Sequence, residues 1–222
     1  MNKGQTLAAL FLATFICPLA THADDNNVEG RVRIGRMIYA DGRTTRCFSE
    51  GFLSLVGRHT QINISRSMQD VQLGSDEIFD HPMIIMSGEK GFELSGEEIV
   101  NLRKFLMRGG FVLASAGCSN KPWDESFRLA IQFALPEYQF RTLAMTEPIF
   151  HTLFDIDSIQ SVKPASEPIL GLQIDGRLAI VYSPLGLNDS RSLGGKCCCC
   201  GANELRNARF INANAVVYAL TH

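Results

Sequence analysis

The sequence predicts a three-layer α/β sandwich with a mainly parallel central sheet, and three observations predict it. Two continuous apolar runs of strand length, centred on "MIIM" at 83–86 and "FVLASA" at 111–116, suit strands buried on both faces of a sheet. An amphipathic helical pattern lies between them, so strand, helix and strand form a crossover that is right-handed and leaves the two strands parallel. No internal repeat or long low-complexity linker divides the chain, and 222 residues are ample for one domain with its own core.

The elements follow in order. "RVRIGRMIYA" at 31–40 sets Val32, Ile34, Met37 and Ile38 among basic residues, as a strand covered on at least one face would. In "LSGEEIVNLRKFLMRGG", Ser95 and Glu98 have capping-box spacing, Ile99, Leu102, Phe105 and Leu106 recur on one face, and Gly109 and Gly110 allow the turn out. A second helix is predicted over 123–135, "WDESFRLAIQFAL", followed by a short strand in "YQFRTLAM". "GLQIDGRLAIVYSP" reads as a hairpin around Asp175-Gly176, with 178–182 its more buried arm. A closing helix carries Leu205, Phe210, Ala213, Val216, Val217 and Leu220, with Asn203 as its expected N-cap.

The amino terminus reads as a targeting segment. Lys3 supplies a positive start, 6–20 is an apolar run and the small residue Ala23 ends "THA", the three parts of a secretory signal peptide. The run is short for a membrane span, which needs about 20 residues, and Pro18 interrupts it. We therefore expect a signal peptide at 1–23, a single domain at 24–222, a periplasmic or extracellular location, and no transmembrane span after processing. Loss of Lys3 takes the formal charge from −2 to −3. No basic run or basic stripe with interleaved aromatics is present, so nucleic acid is not an expected partner.

Several motifs resemble, in order, the bacterial family known as domain of unknown function 4159. They are "FDHPMIIMSG", "LSGEEIVNLRKFLMRGGFVLASAG", "DESFR" at 124–128, "EPIFHTLFDI" at 147–156, "IDGRLAIVYSP" and "NANAVVYALTH". The resemblance spans about 31–222 and implies a flavodoxin-like core akin to class I glutamine amidotransferases, often in exported or envelope proteins, with no established activity. Family members commonly carry paired acids at the end of the strand after Gly-Gly, where this chain has Ser115-Ala116-Gly117-Cys118. Many have His before the Pro of the later motif, where this chain has Glu147-Pro148.

Ligands of open parallel sheets bind outside the carboxyl ends of the strands, which directs attention to "GGFVLASAGCSN". Ser115, Cys118, Ser119, Asn120, Trp123 and Asp124 are the expected rim, facing a small ligand or an envelope protein. Cys118 follows a strand and precedes a helix, a setting that favours thiolate, and His151 is the candidate base for a cysteine nucleophile. Against this, no second glycine follows Cys118 at the spacing of a tight nucleophile elbow. Asp124 and Arg128 stand at i, i+4 and are expected to form a surface ion pair.

Six cysteines remain after signal removal: Cys47, Cys118, Cys197, Cys198, Cys199 and Cys200. An even number in an oxidising compartment points first to disulfides, with 15 full connectivities open. Zinc at 197–200 is the second reading, since thiolates are its preferred ligands, and reduced thiols are the third. Because the run lies between a strand and the last helix, it is expected to share one sheet rim with Cys118. The leading functional expectation is an exported, non-catalytic ligand- or partner-binding domain. Its rivals are a hydrolase or acyltransferase using Cys118 and a thiol or metal site at the tetracysteine.

Overall fold

A computed structural model of the chain describes residues 30–44, 48–162, 167–188 and 204–222. The expected signal peptide, Cys47, the tetracysteine at 197–200 and the N-cap expected at Asn203 lie outside the described residues. Along the chain come β1 (Gly35–Ile38), α1 (Gly51–His59), β2 (Gln69–Gln72), β3 (Met83–Gly88), α2 (Gly96–Met107), β4 (Phe111–Ala116), α3 (Lys121–Ala134), β5 (Arg141–Thr142), β6 (Leu170–Ile174), β7 (Arg177–Ser183) and α4 (Ala208–Thr221).

These strands make one sheet in the order β2-β1-β3-β4-β7-β6-β5. β1, β2, β3, β4 and β7 are mutually parallel, while β6 runs against β7 and β5 against β6. The order 2-1-3-4 and then a fifth parallel strand is that of flavodoxin-like sheets, with its switch point between β1 and β3.

Side-chain alternation explains why the apolar runs are continuous. Met83, Ile85, Phe111 and Leu113 join the core beneath α1 and α4, and Ile84, Met86, Val112 and Ala114 join the core beneath α2 and α3. Successive residues of a strand face opposite sides, so two covered faces require apolar residues at every position. The result is the expected three-layer sandwich.

The capping box of α2 forms as expected. Ser95 Oγ accepts from the Glu98 amide at 3.2 Å, and Glu98 Oε2 accepts from the Ser95 amide at 2.8 Å. Glu98 also reaches beyond its helix, its Oε1 accepting from the Ala40 amide at 2.8 Å in the turn after β1. At the hairpin, Asp175 (φ 50°) and Gly176 (φ 81°) both occupy the left-handed region, the requirement of a type I′ turn.

Three differences have physical causes. The first strand is only four residues long, with Val32 bridging Ile64 outside it. α4 begins at Ala208 behind Asn207, later than an N-cap at 203 would place it. Residues before it are tied to the segment after β5 by an isolated antiparallel bridge between Ser161 and Leu205: Val162 donates to the Glu204 carbonyl at 2.9 Å and Arg206 to the Gln160 carbonyl at 2.8 Å. β2, which the periodicity did not reveal, is an edge strand that buries only Val71.

Candidate functional site

The carboxyl ends of the central strands meet in register, Ser87 opposite Ser115 and Ser115 opposite Ser183. All three serines are buried. Ser115 Oγ donates to Ser87 Oγ at 3.4 Å, and Ser183 Oγ accepts from the Leu185 amide at 3.2 Å. Their hydroxyls thus satisfy one another and the backbone, as buried polar groups must. Ser115 lies beneath the rim, fully buried between its two neighbouring serines.

Above this row the chain leaves β4 through a strained turn. Cys118 (φ 54°, ψ 33°) and Ser119 (φ 50°) are consecutive non-glycine residues in the left-handed region, each costing about 1 kcal/mol or more. The turn is pressed against the end of β3: a Cβ on Gly117 would lie 2.9 Å from the Gly88 carbonyl oxygen. Cys118 Sγ lies 3.7 Å from Glu89 Oε1. Asn120 then caps α3, its Oδ1 accepting from the Trp123 amide at 3.1 Å.

Glu204 secures the turn from the far end of the chain. Its Oε1 accepts a short hydrogen bond from Ser119 Oγ, and its Oε2 accepts from the Gly186 amide at 2.7 Å. A Cβ on Gly186 would stand 3.6 Å from the Cys118 amide nitrogen and 2.7 Å from Glu204 Oε2. Gly186 and Glu204, which flank the stretch carrying the tetracysteine, therefore both sit at the rim that carries Cys118.

An aromatic cluster backs the rim on the α2/α3 face. Trp123 is fully buried; its Nε1 donates to Tyr39 Oη at 2.6 Å, and Tyr39 Oη donates to the Ser87 carbonyl at 3.0 Å. Burial pushes the Tyr39 hydroxyl up to about 12. Trp123 stacks on Phe127 with ring centroids 5.1 Å apart. It packs within the core beneath α2 and α3.

Asp124 and Arg128 do form the expected pair, with Nε to Oδ1 at 2.7 Å, yet it is no bare surface pair. Tyr182 Oη donates a short hydrogen bond to the same Asp124 oxygen, and the Arg128 guanidinium lies 5.2 Å from the Tyr182 ring centroid. Burial first, and the Asp124 carboxylate second, raise the Tyr182 hydroxyl. The sequence placed Tyr182 only at the end of the more buried arm of the hairpin, and β7 is buried from Leu178 through Ser183.

His151 is engaged elsewhere. It follows the short turn Pro148–Phe150, with Nε2 2.7 Å from the Met145 carbonyl oxygen and Nδ1 3.1 Å from Asp155 Oδ1. The Met145 carbonyl and then Asp155 raise its pKa. With both ring nitrogens committed to these acceptors, His151 is not set to take a proton from Cys118, so the nucleophile–base pair is not assembled. Glu147, two residues after Met145, forks with Arg141 at 2.5 and 3.1 Å. Among the described residues no group of three or more His, Cys, Asp or Glu is placed to hold a metal.

Fold and rim together define an α/β protein with a mostly parallel sheet and a polar, strained carboxyl edge. The chain matches the sequence profile of the family described as Domain of unknown function (DUF4159) over residues 33–220, and it belongs to that family. Comparison with curated proteins finds no match. No described helix is long and apolar enough to cross a membrane.

Proposed function

We propose that the protein is an exported, amidotransferase-like module that binds a ligand or an envelope partner at this rim and performs no catalysis there. The observation that carries the reading is the convergence of the Cys118–Ser119 turn, Gly186 and Glu204 on one edge. Strained non-glycine backbone of this kind persists where surrounding structure enforces it, and it concentrates at binding and active sites. The ligand-facing groups are the partly exposed Cys118, Ser119, Asn120 and Asp124, with Ser115 and Trp123 supporting them from below.

In this reading Cys118 is a half-cystine joined to one of the cysteines at 197–200. Cys200 precedes the anchored Glu204 by four residues, a reach of at most about 14 Å of extended chain. A disulfide there replaces the thiolate that a nucleophile would need and ties the last connection to the rim. Zinc at 197–200 is the competing reading of the same cysteines.

Peptide mapping of the unreduced mature protein tests this. Trypsin is expected to release the peptide 109–128, which carries Cys118, covalently linked to 197–206, with no stoichiometric zinc in elemental analysis. Cys118 recovered as a free thiol that alkylates faster than in denatured protein would overturn the reading in favour of a cysteine enzyme. Linkage to 47–58 would overturn the tetracysteine assignment.

A further inference from the structure

At the amino edge of the sheet lies a cleft of about 350 Å³, built where two connections enter adjacent strands. His81 and Pro82 immediately precede β3, and Gly109 and Gly110 immediately precede β4. We infer that this cleft binds a free α-amino acid with an apolar side chain. The inference is independent of the rim, because the two sites occupy opposite ends of the strands.

The fold sets an acceptor, a cation and a carboxylate about an apolar floor. His81 is 3% exposed, and its Nδ1 lies 3.1 Å from the Arg33 carbonyl oxygen. Nδ1 therefore carries the ring proton, and in the neutral ring Nε2 is an acceptor that no described residue engages. The ring is lodged against β1, where a Cβ on Gly35 would stand 3.4 Å from His81 Cγ, and it lines the cleft. Arg108 is the C-cap of α2, and its guanidinium carbon sits 4.8 Å from the Phe79 ring centroid. Such a contact uses the flat face of the guanidinium and leaves its N–H edge for an anion. Phe105 is buried, its ring lying where a Cβ on Gly110 would be only 2.5 Å away. With Phe79 and Pro82 it supplies the apolar surface.

Asp80 completes the set. It ends the turn Asp76–Asp80 and lines the same cleft as Arg108. Among the described residues neither the Asp80 carboxylate nor the Arg108 guanidinium has a hydrogen-bond or ion-pair partner. A lone anion would meet Arg108 but confront Asp80, and a lone cation the reverse, whereas a zwitterion satisfies both. An α-amino acid carries its two charges on one carbon. Its carboxylate matches the guanidinium fork, and its ammonium has N–H donors for both Asp80 and His81 Nε2. The side chain is then free to cover the apolar floor, where removing it from water is favourable. The volume, and a few convergent polar groups over an apolar lining, are those of a small-ligand site.

Isothermal titration of the protein with L-phenylalanine, L-leucine and L-methionine is the test. The N-acetyl and amide derivatives of each, which lack the ammonium and the carboxylate respectively, are the comparators. At least one of the three amino acids is expected to bind one-to-one, about tenfold or more tighter than either of its derivatives. Arg108→Gln and Asp80→Asn should each weaken that binding about tenfold or more, since each removes a charged hydrogen-bonding partner. Lys104→Gln, one turn earlier on α2 and equal in charge change to Arg108→Gln, should leave it unaltered. Asp80 and Arg108 are both exposed, and an unchanged melting temperature of each variant confirms that the fold is retained. Lack of binding by all three amino acids, a derivative that binds as tightly as its parent, or insensitivity to either substitution would each overturn the inference.

Discussion

Tyr39 shows how one hydroxyl can hold a rim together. It accepts a hydrogen bond from the Trp123 indole N–H and donates its own O–H to the Ser87 carbonyl, linking the ends of β1 and β3 to α3. Gly88 is the glycine that this contact demands, since a Cβ there would collide with Tyr39 Oη and Trp123 Nε1. Tyr39→Phe keeps the ring but leaves the buried indole N–H without an acceptor. The expected loss of unfolding free energy is about 1–3 kcal/mol, read from denaturant titration as a lower midpoint at unchanged slope.

Among the secondary-structure elements, α2 does more than fill a layer. Its first-turn carboxylate, Glu98, closes the capping box and also holds the turn after β1 through the Ala40 amide. That turn contains Ala40 (φ 44°), Asp41 (φ 62°) and Gly42 (φ 88°) in succession, so an external anchor offsets backbone that is unfavourable on its own. Ser95→Ala, which removes only the cap, is expected to cost about 1 kcal/mol. Glu98→Ala removes two hydrogen bonds to a charged acceptor and should cost more, about 2 kcal/mol. Equal losses from the two variants in urea titrations would show that the bond to Ala40 contributes nothing.

For the molecule as a whole, the segment after β5 sets a pH window on stability. The Arg141 hydrogen bonds hold the Glu147 carboxyl below its ordinary range, so its contribution is present above the unfolded-state value and is lost as pH falls through the folded one. His151 has the opposite sign. Its pKa is raised, first by the Met145 carbonyl and then by Asp155. Its contribution is therefore full below the unfolded value, about 6.5, and is lost as pH rises through the folded value. The melting temperature is expected to decline as pH climbs above that range, and His151→Gln should flatten the decline. A decline that survives the substitution unchanged would assign it to other groups.

Local patterns were enough to read the two central strands, the capping box of α2 and the Asp175-Gly176 hairpin from the residues alone. Hydrophobic period and turn chemistry act over a few positions, and one sequence displays them in full. β2 escaped because an edge strand needs only Val71 on its buried side, which leaves no pattern to find. The site belongs to the folded chain: Trp123 meets Tyr39 across 84 positions and Ser119 meets Glu204 across 85. Nothing in the spacing of those residues announces the contact, because the sheet order brings them together.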